Sequence, residues 1–231
     1  MPILSSPFKA LVIGSSGTIG SAFCQLLEAH PDCEAVIGIH RQSTPSINYA
    51  DVASIANSAN DLASQGPFQL IINTIGVLHG EHFGPEKRLE DLNPDSLSTL
   101  ININTIGPAL TIKSFSKLLD SQRSVMVTLS AKVGSIEDNR LGGWYSYRAS
   151  KAALNMIIKT AAIELARTKP NAAIIAMHPG TVQSRLSKPF GGETKGRLAQ
   201  EAASDMLNIL LNLEASDSGS FLSYSGEKLP W

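Results

Sequence analysis

The chain has 231 residues, a formal net charge of −1, and 43% hydrophobic against 17% charged residues. That length and balance suit one folded domain with a sizeable core and exclude a disordered chain. No dense Lys/Arg run is present, and no apolar stretch approaches the roughly 20 residues of a membrane span, so neither nucleic acid nor a bilayer is the expected partner. Met1 to Lys9 lacks a basic segment followed by a signal-peptide core. Cys24 and Cys33 read as free thiols rather than a disulfide or metal pair. The expectation is a single soluble, cytoplasmic domain over 1–231.

In chain order, Ala10 to Ile13 reads as a buried strand, followed by a helix from about Thr18 to Ala29. Ala35 to Ile39 is a second strand, and a short third is predicted near Ile47 to Ala50. The seven residues between them, His40 to Ser46, are too few for a crossover helix and predict a loop. A helix at Val52 to Ala63 and a strand at Gln69 to Asn73 come next. One long helix is predicted from Pro94 to Leu119, then a strand at Ser124 to Leu129. A helix carrying Tyr147 runs to about Arg167, before a strand at Ala172 to Met177. A helix at Ala199 to Leu211 and a strand near Ser220 to Tyr224 complete the pattern. Continuous apolar strands alternating with helices predict an α/β fold, with a parallel sheet of about seven strands covered on both faces.

Gly14-Ser15-Ser16-Gly17-Thr18-Ile19-Gly20 joins the first strand to the first helix. Glycines permit a tight turn and close backbone approach, and the helix N-terminus offers free N–H groups to a pyrophosphate. Dinucleotide binding is therefore expected, although the spacing is G-x-x-G-x-x-G rather than G-x-G-x-x-G. The second strand ends His40-Arg41-Gln42, with no acid for a ribose 2′-hydroxyl. A guanidinium there suits a 2′-phosphate, so NADP(H) is favoured over NAD(H).

Tyr147 and Lys151 are spaced i,i+4 and share a helix face, with Cβ atoms roughly 5–6 Å apart. A cation about 4 Å from a phenol favours the phenolate by up to about 4 kcal/mol at an effective dielectric near 20. The expectation is a lowered tyrosine pKa and a usable general acid or base. Tyr145 lacks such a partner, since its i+4 neighbour is Ala149. Pro108 lies inside the predicted long helix and has no N–H for the carbonyl of Asn104. That carbonyl is expected to stay free beside a kink and to accept from a water.

Together these features resemble the short-chain dehydrogenase/reductase superfamily, over about Leu11 to Ser184 and in the same order. The resemblance implies a single Rossmann-like, doubly wound domain. Asp51-Val52 resembles the family's adenine-binding acid, and Asn73-Thr74-Ile75-Gly76 a variant of its N-N-A-G strand end. Asn104, Tyr147 and Lys151 match its catalytic asparagine, tyrosine and lysine, with Asn104 holding a relay water. Pro179-Gly180-Thr181-Val182-Gln183-Ser184 resembles the segment that meets the nicotinamide, which brings Pro179, Gly180, Val182 and Ser184 into the cofactor set.

The family's catalytic serine is the point of departure. With Gly134 aligned to the family's glycine, Ala131 stands at the serine position. Ser130 is the preferred substitute, Ser135 a second, and absence of the hydroxyl a third alternative. Gly134-Ser135-Ile136, Gly142 to Lys151 and Leu229-Pro230-Trp231 are similar to the C-factor and sniffer carbonyl reductase branch.

His79 and His82 have HxxH spacing in a loop and read as entrance residues, with no metal expected. His178 reads as strand-end packing, and Trp144 and Phe190 as pocket walls or core. Arg185 to Lys195 is expected to be a lid. The resemblance implies an NADP(H)-dependent reductase of a small carbonyl, or dehydrogenase of the alcohol, working as a homodimer or homotetramer. The competing expectation is a dinucleotide-binding signalling protein with little turnover.

Overall fold

The computed structural model describes residues 7–231. The reading of Met1 to Lys9 as lacking a signal-peptide core falls largely outside them. Six strands form one sheet in the order β2-β1-β3-β4-β5-β6. They are β1 (Phe8–Ile13), β2 (Cys33–Ile39), β3 (Leu70–Asn73), β4 (Ser124–Leu129), β5 (Ala172–His178) and β6 (Phe221–Ser223). Every neighbouring pair is parallel. The helices are α1 (Thr18–Glu28), α2 (Val52–Asp61), α3 (Pro94–Ile101), α4 (Gly107–Phe115), α5 (Tyr145–Leu165), α6 (Gly192–Lys195) and α7 (Ala199–Leu211).

Strands that are apolar on both faces need two covers, and two separate cores supply them. On one face Val12, Ile72, Val127 and Ile175 pack with Phe23 and Leu27 of α1 and Met206 and Leu210 of α7. On the other, Leu11, Ile71, Met126 and Ile174 pack with Ile55 of α2, Phe115 of α4 and Leu154 and Ile158 of α5. The order reverses between β1 and β3, so the crevice at their C-terminal ends is where a ligand belongs in such a sheet.

Two expected elements are corrected. The predicted strand at Ile47 to Ala50 does not join the sheet, and β2 remains its edge. The segment makes only an isolated bridge between Asn48 and Asp51. Side chains hold it instead. Tyr49 is buried, and its hydroxyl accepts from Asn73 Nδ2 at 2.8 Å. It lies 2.8 Å from Thr111 Oγ1, whose own proton goes to the Gly107 carbonyl at 2.9 Å. Tyr49 is therefore the donor to Thr111, and burial raises its pKa enough to keep that proton in place.

The predicted single helix from Pro94 to Leu119 is broken into α3, a π turn over Asn102–Ile106, and α4, followed by a 3₁₀ turn at Ser116–Leu118. Asn93 starts α3 by accepting from Asp95 N and Ser96 N at 2.9 and 3.0 Å. The π turn ends where Gly107 N reaches back to Asn102 O, immediately before Pro108. A proline donates no N–H to the preceding turn, and widening that turn is one way a helix accommodates it. Gly107 is required at the junction, because a Cβ there would meet the Tyr49 ring at 2.3 Å.

Tyr49→Phe should therefore lower stability by about 1–3 kcal/mol, the cost of leaving buried polar partners unpaired. Denaturant unfolding measures it, and an unchanged midpoint would refute the importance of this hydrogen-bonded chain.

Candidate active site

The glycine loop leaves β1 at Gly14, where φ is +87° and a Cβ would lie 2.6 Å from Thr74 Oγ1. Thr74 Oγ1 sits within hydrogen-bond reach of the Ile13 and Gly14 carbonyls, at 3.0 and 3.2 Å, so the loop and the end of β3 are fastened together. Gly20 is also needed, since a Cβ there would meet the Gly14 carbonyl oxygen at 2.3 Å. Gly17 caps α1 with no side-chain hydrogen bond, which leaves N–H groups of the first turn, around Thr18 and Ile19, open to an anion. Ser16 is exposed on the loop.

Arg41 is exposed beyond β2, with no ion pair among the described residues. Asp51 spends one carboxylate oxygen on capping α2, accepting from Ala53 N at 3.1 Å, and Val52 follows it, exposed. Asn73 is fully buried and accepts from Ile75 N at 3.2 Å, which shapes the Thr74-Ile75-Gly76 corner. A bare, positively polarised helix end and a glycine cradle with room only for backbone fit a dinucleotide phosphate.

Tyr147 and Lys151 lie on the first turns of α5, both buried. The Lys151 ammonium donates to the Leu129 carbonyl at 3.1 Å and stands 5.9 Å from the centroid of the Tyr147 ring. Burial lowers the lysine pKa to about 8. Burial also raises the tyrosine pKa above its ordinary value, and this corrects the expected lowering by Lys151. Desolvation penalises a phenolate as it penalises an ammonium, and here it outweighs the attraction of the neighbouring cation. The resting site holds a neutral phenol, the form a proton donor needs.

Asn104 reaches this pair from the π turn. Its Oδ1 accepts from Val77 N at 2.9 Å, and its Nδ2 donates to Val77 O at 2.8 Å and Ser150 Oγ at 3.1 Å. Ser150 Oγ in turn donates to the Tyr147 carbonyl at 2.8 Å. Gly76 leaves the space, because a Cβ there would lie 3.4 Å from both Asn104 Oδ1 and Lys151 Nζ. The structure thus gives Asn104 a side-chain role in bracing α5, which its sequence relation to Pro108 did not suggest.

The start of α5 is held by two charged residues that the sequence reading passed over. Glu86 is buried, and its carboxylate accepts from Ser146 N at 3.2 Å and from Ser146 Oγ. A carboxylate at a helix N-terminus is favoured by the peptide dipoles. Arg148 donates to the carbonyls of Gly143, Val133 and Gly142 at 2.9, 3.1 and 3.1 Å. Between them Trp144 adopts a left-handed conformation, with φ 55°. Residues on both sides of Tyr147 are therefore clamped. Only the oddity of a Glu in a loop and an Arg inside the Tyr-x-x-x-Lys motif could have pointed to them.

Ser130, the expected supplier of a catalytic hydroxyl, is tied to α5 instead of standing free in the cavity. Its Oγ donates to Asn155 Oδ1 at 2.6 Å, so its one proton is committed to α5. Ser135 is also buried, with its hydroxyl 3.2 Å from the Trp231 carbonyl. Ala131 packs with Tyr147, Leu78 and Leu100, in the place the sequence alignment assigns to the serine.

A cavity of about 630 Å³ joins these parts, lined among others by Ile19, Gly76, Ala131, Tyr147, Lys151 and Pro179. Gly180, with φ +74°, turns the chain where a Cβ would strike the Tyr224 ring at 2.8 Å. Val182 is buried and bridges to Arg197, while Ser184 Oγ lies 3.2 Å from Ser187 Oγ. The segment expected as a lid carries Phe190, whose ring lies 5.1 Å from Trp144 and 5.8 Å from His79. Trp144 in turn meets Tyr147 edge-on at 6.2 Å. Both predicted walls line the cavity. His178, the last residue of β5, lines it as well.

Residues 46–194 match the family model for short chain dehydrogenases. The 1-hydroxy-2-glutathionyl-2-methyl-3-butene dehydrogenase of Rhodococcus sp. (strain AD45) is 32% identical over 188 residues, 81% of this chain and 79% of that protein. The C-signal of Myxococcus xanthus is 30% identical over 72% of this chain and 94% of its own length. Among solved structures, an NADPH-bound carbonyl reductase from chicken fatty liver superimposes with a TM-score of 0.83 at 24% identity, covering 99% of this chain and 96% of that one. The carbonyl reductase Sniffer of D. melanogaster also gives 0.83, at 20% identity over 97% and 100%. With the parallel sheet, the glycine cradle and the Tyr147–Lys151 pair in one cavity, the chain belongs to the short-chain dehydrogenase family of oxidoreductases.

Proposed function

We propose that the protein reduces a small carbonyl compound, or oxidises the corresponding alcohol, with NADP(H). The observation that carries this reading is a neutral, buried Tyr147 beside Lys151 at the wall of a cavity that also reaches the Gly76 corner and Pro179. When bound, the dinucleotide supplies a hydride to the carbonyl carbon. The chain does the rest. Gly14, Ser16, Gly17, Thr18, Ile19 and Gly20 would hold its pyrophosphate and Arg41 its 2′-phosphate. Asp51, Val52 and the Asn73–Gly76 corner would hold its adenosine side and central part, and Pro179, Gly180, Val182 and Ser184 its nicotinamide end.

Tyr147 gives its proton to the oxygen as negative charge gathers there. Lys151 stabilises the phenolate left behind and passes a proton back to it, and Asn104 fixes the turn of α5 on which both stand. Ser130 braces α5 through Asn155 and takes no direct part. The cavity's aromatic wall of Trp144 and Phe190 suits an apolar carbonyl substrate. NADP(H) rather than NAD(H) is supported by the exposed Arg41, which has no ion pair among the described residues, and by the NADPH-bound carbonyl reductase that shares the fold. Ile106 on the π turn and Met156 and Ile163 on α5 are exposed, which supports a homodimer or homotetramer built on these helices. One domain over 1–231 carries the chemistry, and the free thiols of Cys24 and Cys33 favour the cytoplasm.

Ala131 and the likeness to C-signal favour a second reading, a dinucleotide-dependent signalling protein with little turnover. NADPH titration followed by a screen of aldehydes, ketones and quinones separates the two: tight binding with no turnover supports the signalling role.

Tyr147→Phe should retain NADPH affinity and lose nearly all turnover, and substantial residual rates would remove Tyr147 from its role. Arg41→Ala should weaken NADPH binding selectively, with NADH affinity held, and fluorescence titration of both cofactors reads this directly. Lys151, with its pKa lowered to about 8, must be protonated in the reducing direction. As pH rises through that value the charge is lost, so kcat/KM for reduction should fall on the alkaline side. A profile flat from pH 7 to about 10, where the next lysine-like groups titrate, would contradict it.

A further inference from the structure

With Ala131 beside Tyr147 and the Ser130 proton given to Asn155, neither residue offers a hydroxyl to polarise a carbonyl. The neighbouring strand brings another group to the same place. Leu129 pairs with Met177, and Ser130 N donates to the Met177 carbonyl at 2.8 Å. The next residue in register on β5 is His178, so Ser130 and His178 stand side by side at the C-terminal edge of the sheet. His178 is half-buried and lines the same cavity as Tyr147, Lys151 and Ala131.

Its state follows from its surroundings. Burial, with the Lys132 charge as a smaller cause, lowers its pKa to about 4, so the ring is neutral at neutral pH. A neutral imidazole carries one donor and one acceptor nitrogen. Nδ1 is buried and has no hydrogen-bond partner among the described residues. A buried orphan N–H is rarer than an under-used acceptor, which assigns the proton to Nε2. Neutral imidazole is a known form of carbonyl-polarising donor, because it donates a hydrogen bond without surrendering its proton.

We propose that His178, through Nε2–H, is the group that polarises the substrate carbonyl, replacing the serine absent at Ala131. The proposal rests on the carbonyl-reductase reading. The hydrogen bond strengthens as charge accumulates on the oxygen, Tyr147 delivers the proton that completes the alcohol, and His178 ends the reaction with its own proton in place. The oxygen is thus held from two sides, by α5 and by β5.

The test compares two variants close to each other in size, His178→Gln, which keeps an N–H donor, and His178→Met, which has none. Each is assayed for carbonyl reduction, NADPH affinity and thermal melting. His178→Met should lose about 10²-fold in kcat, the scale of removing one oxyanion donor, with NADPH affinity and melting held. His178→Gln should stay within about tenfold of wild type, and adding Ala131→Ser to His178→Met should recover at least tenfold. Equal rates in the wild type and both single-site variants overturn the proposal. So do equal losses in Gln and Met, or a loss of NADPH binding parallel to turnover, because both mark the ring as packing. A wild-type protein inert on every carbonyl overturns the reductase reading itself, whereas an active wild type with an equally active His178→Met removes His178 alone.

Discussion

The site is organised around an ammonium buried without a counter-charge among the described residues. Lys151 has the Leu129 carbonyl and the face of Tyr147 as its near neighbours, and burial alone accounts for its lowered pKa. Charge in such a place is costly and survives only where the surrounding packing holds it. Much of the local architecture can be read as that packing. Gly134 has no Cβ because one would lie 2.7 Å from Lys151 Cβ, and Gly76 leaves room for both the ammonium and Asn104. The same desolvation keeps Tyr147 protonated, so one physical cause prepares both members of the pair.

The proton donor proposed here would also have to be aimed, and the chain fixes the flanks of Tyr147. Glu86 ties Ser146 from a loop 60 residues earlier, Arg148 gathers three carbonyls of the preceding loop, and Ser150 ties the Tyr147 carbonyl to Asn104. The π turn that carries Asn104 is anchored by Gly107 against Tyr49, and Tyr49 by Asn73 at the end of β3. The crevice at the C-terminal ends of β1 and β3 and the start of α5 are thereby one packed unit. The ladder of Tyr147, Trp144 and Phe190 extends that unit to the segment over the cavity.

Where the sequence could be read, the signal was local or positional. Gly14, Gly17 and Gly20 sit at one strand-to-helix turn, Tyr147 and Lys151 one helical turn apart, and Pro179-Gly180 at a strand end, so spacing alone brings each set together. The misreadings share a different character. Ile47 to Ala50 has the composition of a strand, yet Tyr49 inserts into the core and the backbone never reaches a ladder. Pro94 to Leu119 has helical periodicity throughout, and periodicity does not register one widened turn. Ser130 stands one residue before the position the family's serine takes, just past the end of β4, and its hydroxyl turns to a different turn of α5. The hydroxyl therefore meets Asn155, while Ala131 takes the position against Tyr147.

The amino-acid sequence by itself determined the α/β alternation, the phosphate cradle, the Tyr147–Lys151 pair and the family, because these depend on φ freedom, on helical spacing and on order along the chain. Only the tertiary structure decided the protonation states, the anchoring by Glu86 and Arg148, and the placement of His178 beside Ser130. Those depend on which distant atoms exclude water or supply a partner. Desolvation and hydrogen bonding are properties of the packed neighbourhood, and no spacing between residues encodes how deeply a tyrosine will be buried.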